Sequence, residues 1–155
     1  MKKVFQRIVD EGKGDCMKCA IATLLGLDYE EVPHFLEFEN PNSEMADFMM
    51  EHGYEYDGVL YNYPGSEYSD IHKLKDYDGI NGLFYASVFS PKYFKEENGI
   101  DGHQIGHAVL INKNFEIVFD PNEKYQDLEK YPACDELGYN GVKNVYLFSS
   151  SQAEW

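Results

Sequence analysis

The feature that most restricts how this chain can fold is a nearly uncharged run, residues 17–25, entered through Gly14-Asp15-Cys16 and closed by Gly26. Ala20, Ile21, Leu24 and Leu25 cover much of a helical circumference, so a helix here is buried on most sides. Asp15 is placed to cap its start and Gly26 to end it. The helix begins on Cys16. A first turn carries unpaired N–H groups and about half a positive charge, which favour thiolate over thiol. Thiolate is the nucleophilic form, so Cys16 is the first candidate functional residue.

Two later runs, 107–112 and 115–120, are rich in β-branched and aromatic residues and read as paired strands. Lys113-Asn114 stands between them, and asparagine tolerates the left-handed backbone of a tight turn. With a two-residue loop, paired residue numbers sum to 227, and His107 falls opposite Asp120. Directly opposed side chains have Cβ atoms roughly 4.5–5.5 Å apart, close enough for imidazole to meet carboxylate. A three-residue loop would slip that register by one. The expectation is a thiol triad, in which Asp120 fixes the His107 ring and His107 serves Cys16 as base.

The order Cys, His, Asp, with the helix first and the strands later, is that of papain-like cysteine peptidases. Gln6, Gly14-Asp15-Cys16, Gly106-His107-Ala108-Val109 and Asp120-Pro121 resemble the motifs of papain-fold peptidases related to bacteriocin-leader-processing enzymes. The stretch from Asp15-Cys16 to Gly26-Leu27, followed by Glu31-Val32-Pro33-His34-Phe35, is similar to small papain-like proteins of phages and bacteria. Residues 55–100 carry no such resemblance. The resemblance implies Cys16 as nucleophile, His107 as base, Asp120 as orienter and Gln6 as a side-chain donor to the oxyanion beside the Cys16 N–H. Donors of that kind contribute a few kcal/mol to the transition state. Gln6 precedes Cys16 by ten residues, a longer gap than in papain, so the chain between them must fold back.

The implied activity is cysteine-dependent hydrolysis of an amide or isopeptide bond in a peptide or protein substrate, with no cofactor and no metal. The same triad also serves deamidation and transglutamination. A different class of function is an idle or slow papain-like binding module of phage or bacterial origin, acting through its tyrosine-rich middle. Thirteen tyrosines and 15% aromatic residues suit an interaction surface.

Charge narrows the partners. A net charge of −15, with no basic cluster denser than Lys2-Lys3, argues against nucleic acid. The acidity favours solubility and would also attract a cationic substrate. No segment reads as a signal peptide or as a membrane span of ~20 apolar residues. Three cysteines imply no disulfide framework, and a reducing cytoplasm, bacterial or phage-infected, is expected.

The remaining pattern predicts an α+β fold: one papain-like domain over residues 1–155, its N-terminal helix central and packed on an antiparallel sheet. Residues 3–9 form a strand or lead-in. A second helix spans 44–52, capped by Ser43 and stopped by Gly53, with His52 in its last turn. Strands are expected at 83–89, in the 107–120 hairpin and at 142–148, while residues 54–77 show no clean period.

Rival readings use the same side chains. Cys16-Met17-Lys18-Cys19 has the spacing of redox centres and zinc knuckles, and His103 with His107 would complete a Cys2His2 set. Its halves lie some eighty residues apart, and the cysteine pair would have to leave a buried helix. Gly12-Lys13-Gly14-Asp15 is a poor end for the strand a redox centre needs. Cys19 reads as a small core residue, and Cys134 as unreactive. His34 and His72 read as surface or loop residues.

Overall fold

The computed structural model describes residues 1–9, 14–63, 66–89, 106–123 and 138–150. The expectations for His103 and Cys134 lie outside the described residues.

The architecture is α+β. Helix α1 (Cys16–Leu25) and helix α2 (Pro41–Glu51) precede a five-stranded antiparallel sheet of β1 (Tyr54–Tyr61), β2 (Phe84–Phe89), β3 (Gly106–Ile111), β4 (Ile117–Phe119) and β5 (Val142–Ser150), in the spatial order β1-β5-β2-β3-β4. Cys19, Ala20, Ile21, Ala22 and Leu24 of α1 are buried, as the uncharged run requires, and the helix lies chiefly against β3. Gly26 closes it with φ +72, a left-handed position that glycine occupies without a Cβ penalty. Among the described residues no helix is long and apolar enough to cross a membrane.

The sheet separates two apolar layers. On one face α1, Met45 and Met49 of α2 and Phe35 pack with Tyr85, Ala108, Leu110 and Phe119. On the other, Ile71 and Leu74 of a short 3-10 segment cover Ala86, Val88, Val109 and Val145. Each layer holds alternate residues of the same strands, the two-residue period of a sheet buried on both sides. Strands 84–89 and 142–150 match the expected ones to within two residues.

Three local expectations are corrected. Helix α2 begins three residues earlier than predicted, because Pro41 at its first position pre-sets the helical φ; Ser43 is inside the helix. His52 ends α2, its Nδ1 2.9 Å from Phe48 O and its ring 4.2 Å from that of Phe48. Residues 54–61 form an edge strand that the pattern hid. Gly58, at φ +129, sits in a β-bulge that shifts the pairing with β5 after Tyr56, so alternation along β1 breaks midway. Residues 3–9 form a lead-in with no strand pairing among the described residues. It is tied down by Val4 N–H donating to Thr23 Oγ1 at 2.9 Å and Gln6 N–H to Pro121 O at 2.9 Å.

Candidate active site

Helix α1 brings Cys16 to the start of β3. The Ala108 N–H donates to Cys16 Sγ at 3.5 Å, and the thiol also hydrogen-bonds the His107 ring. On its other side His107 Nε2 lies 2.6 Å from Asp120 Oδ1, with both residues buried. Nδ1 is then the ring nitrogen left for the thiol. Cys16, His107 and Asp120 are therefore contiguous, with the imidazole in the middle.

The route to that contact differs from the predicted one. Leu110 pairs with Phe119 and Ile111 with Ile117, so the register sum is 229, then 228 nearer the turn, and nowhere 227. The loop is a three-residue one. Phe115 N–H donates to Asn112 O and Asn112 N–H to Glu116 O, both at 3.1 Å, with Phe115 at φ +62. Asn112 Oδ1 further accepts the N–H groups of Asn114 and Glu116. A loop one residue longer reverses the parity of every facing pair. The bulge between Leu110 and Ile111 adds a second residue and restores it. Asp120 thus returns to the face of His107, but two residues out of direct opposition. The two side chains meet on the diagonal, where reach along the strand closes the gap.

Phe115 bears the cost of that loop. A bulky residue at positive φ is strained, of order 1 kcal/mol. Its ring packs on Tyr139 at 4.8 Å and its carbonyl accepts Asn140 Nδ2 at 3.1 Å, holding the turn in place.

The electrostatics follow from burial and neighbours. Burial would raise the Cys16 thiol, but the hydrogen bond and charge of His107, with the Ala108 N–H, bring its pKa below the ordinary value. Burial in turn disfavours a charged His107, and the hydrogen bonds to Asp120 and to Cys16 overcome it, so the imidazole titrates well above its usual range. Both shifts favour the thiolate–imidazolium form of the pair. Asp120 also accepts the Asn122 N–H at 2.8 Å, which fixes the carboxylate that fixes the ring.

Asp15 is the residue whose role the sequence misstated. It precedes the helix but makes no side-chain cap. Its carboxylate, fully buried, turns back to accept Arg7 N–H at 3.3 Å, Ile8 N–H at 3.2 Å and Tyr29 O–H at 2.6 Å. Those bonds fold the lead-in against the helix start, and Ile8 O accepts Asp15 N–H at 3.2 Å. The ten-residue gap before Cys16 is closed in this way. Tyr29, sandwiched between Arg7 at 3.8 Å and Lys18 at 3.7 Å from its ring centre, had no signal in the sequence.

Gln6 lies between these anchors, one residue before the Asp15 contacts and bonded through its backbone to the residue after Asp120. Its Nε2 donates to Ile8 O at 3.0 Å, while its Oε1 is buried without a partner. The second Nε2 proton is unassigned by that bond.

Cys19 is wholly buried three residues along α1, and burial, then the charges of Asp15 and Cys16, push its thiol up to about 12. Cys16 and Cys19 are both free thiols. Among the described residues no three His, Cys, Asp or Glu side chains are grouped to hold a metal ion. No known family model, curated protein or solved structure matches this chain.

Proposed function

We propose that the chain is a papain-like cysteine hydrolase acting on an amide or isopeptide bond of a peptide or protein. The observation carrying this reading is the single buried imidazole bonded to a thiol at a helix start and to a carboxylate on the adjoining strand. Thiolate attack on a carbonyl carbon forms a tetrahedral oxyanion. The Cys16 backbone N–H and, as the resemblance implies, the Gln6 Nε2 are the donors assigned to stabilise it. His107 imidazolium then gives its proton to the departing amine, leaving an acyl-enzyme on Cys16. A water deprotonated by His107 releases the acid and restores the thiol. No step requires a metal or cofactor.

The test is turnover. Incubating a bacterial cell-extract peptide mixture with the protein and with Cys16→Ala, then mapping new amino termini by mass spectrometry, should reveal cleavages confined to the unsubstituted chain. If neither new termini nor released ammonia depends on Cys16, the hydrolase reading falls and a binding module takes its place.

A further inference from the structure

The strand register puts every strand tyrosine on one side of the sheet. Cross-strand partners share a face, and the pairs Tyr85–Tyr146, Tyr56–Phe148, Tyr61–Asn144 and Tyr54–Ser150 place Tyr54, Tyr56, Tyr61, Tyr85 and Tyr146 on the face that carries α1. Helix α1 covers the β3 end of that face and α2 the β1 end. A row of paired residues runs across the interval, from Ala108 through Ser87 and Asn144 to Tyr61. Ala108 is the residue whose N–H meets the Cys16 sulfur.

Two features of this interval call for a ligand. Asn144 Oδ1 is buried without a hydrogen-bond partner, although buried polar atoms are nearly always satisfied. Farther along, a half-open cavity of about 320 Å³ lies between α2 and the sheet, walled by the Tyr56 and Tyr146 rings and floored by Met45, with Asp47 and Ser43 at its mouth. That is the size of a small ligand pocket. The Tyr146 ring packs edge-on to Tyr85 at 5.3 Å, and burial followed by the Cys16 charge raises the Tyr85 hydroxyl, so this ring links the cavity to the nucleophile.

The charges around the cavity have one sign. Helix α2 contributes Glu44, Asp47 and Glu51 and no lysine or arginine, and none occurs anywhere between Lys18 and Lys73. Lys143 on β5 stands at the irregular step between Asn144 and Val142 and does not line the cavity. Aromatic walls with a carboxylate at the rim suit a guanidinium, which stacks on tyrosine and pairs with carboxylate at once.

We infer that the Tyr56–Tyr146 cavity receives an arginine side chain of an extended peptide substrate whose backbone crosses the Ser87–Asn144 row to reach Cys16. The inference rests on the hydrolase reading and names its substrate class. The geometry sets the spacing. Strands stand about 4.8 Å apart, so Tyr146 on β5 is roughly 10 Å from β3, or about three residues of extended chain. The arginine therefore sits about three residues from the bond attacked.

Fluorescein-labelled octapeptides of alanine and serine with one arginine, and matched peptides with alanine in its place, test this by fluorescence anisotropy. The intact chain carrying Cys16→Ala prevents cleavage during the measurement. The arginine peptide should bind about tenfold more tightly, as one stacked and paired guanidinium allows. Asp47→Asn with Tyr56→Ala, both solvent-accessible positions, should reduce that preference below about twofold. Asp78→Asn, a fully exposed carboxylate near Lys113, should leave it intact. Equal binding of the two peptides overturns the inference. So does a preference that survives the double substitution, or one lost equally with Asp78→Asn, which would mean unspecific attraction to an acidic chain. The hydrolase reading is scored separately, by iodoacetamide modification of Cys16 in the unsubstituted protein. An arginine preference beside an ordinary Cys16 thiol removes that reading and leaves a peptide-binding site. An activated Cys16 without the preference removes this inference alone.

Discussion

The first and second turns of α1 carry the same side chain three residues apart and give it opposite chemistry. Cys16, partly exposed at the helix start, borders His107 and the Ala108 N–H, and its thiol is shifted down. Cys19, wholly enclosed, has no such donor; burial first, then the charges of Asp15 and Cys16, hold it near 12. Both feel the cost of leaving water, so burial does not separate them. What separates them is a cationic partner within hydrogen-bond reach. The carboxylates enforce the division, since Asp120 keeps His107 charged beside Cys16 while Asp15 weighs against ionisation of Cys19.

The largest expected effect is the contrast itself. A thiol titrating near 12 is thiolate in only about one part in 10⁵ at pH 7, whereas the Cys16 thiol is shifted below the ordinary range. Iodoacetamide at pH 7, quenched at intervals and mapped by mass spectrometry, should modify Cys16 on the order of 10³ times faster than Cys19. Cys134 should also lag behind Cys16. Comparable rates at Cys19 in the folded protein would break the comparison.

A smaller effect should come from the far side of the imidazole. For a thiol lowered by a cation, the reactive form appears as pH rises through the lowered pKa, so the wild-type alkylation rate should have its midpoint below that of an ordinary cysteine. His107→Ala leaves only the Ala108 N–H to oppose burial, and the midpoint should move above that of an ordinary cysteine, slowing the reaction at pH 7 by about 10². Asp120→Asn keeps an acceptor for the ring but removes the charge that favours imidazolium, so the midpoint should rise less, with a loss of about tenfold. A profile unchanged in Asp120→Asn would reduce the triad to a Cys–His dyad.

The contrast between these regions also marks what a sequence discloses. Helix α1 was legible to the residue because its uncharged run and terminal glycine obey local rules. The His107–Asp120 contact was legible for a reason other than the one first offered. Parity along a strand survives an even displacement, and the three-residue loop and the bulge at Leu110–Ile111 together shift the register by two. Strand β1 escaped because Gly58 interrupts its period and only one of its residues is fully buried. Asp15 was misplaced because cap preference concerns the next turn of chain, whereas its partners, Arg7, Ile8 and Tyr29, come from both sides in sequence. A propensity cannot see a partner fourteen residues away.

The smallest expected effect probes that last contact. Tyr29 O–H donates to Asp15 Oδ2 at 2.6 Å; burial, then Asp15 itself, raises the phenol to about 12, so it remains a donor throughout the working range. Tyr29→Phe leaves Asp15 with two backbone donors and keeps the ring between Arg7 and Lys18. The loss should be about 1–3 kcal/mol of stability, the span for one hydrogen bond to a buried charge, read as a lower denaturant midpoint with unchanged slope. The Cys16 alkylation rate should change by less than about twofold, because the thiolate is set by His107 and Ala108 rather than by the bonds to Asp15. Cys19 should stay unmodified, with Asp15 still charged beside it. If Tyr29→Phe instead shifts the Cys16 midpoint as far as Asp120→Asn does, the network around Asp15 belongs to the same electrostatic unit as the triad. The two turns of α1 would then be governed together rather than by separate carboxylates.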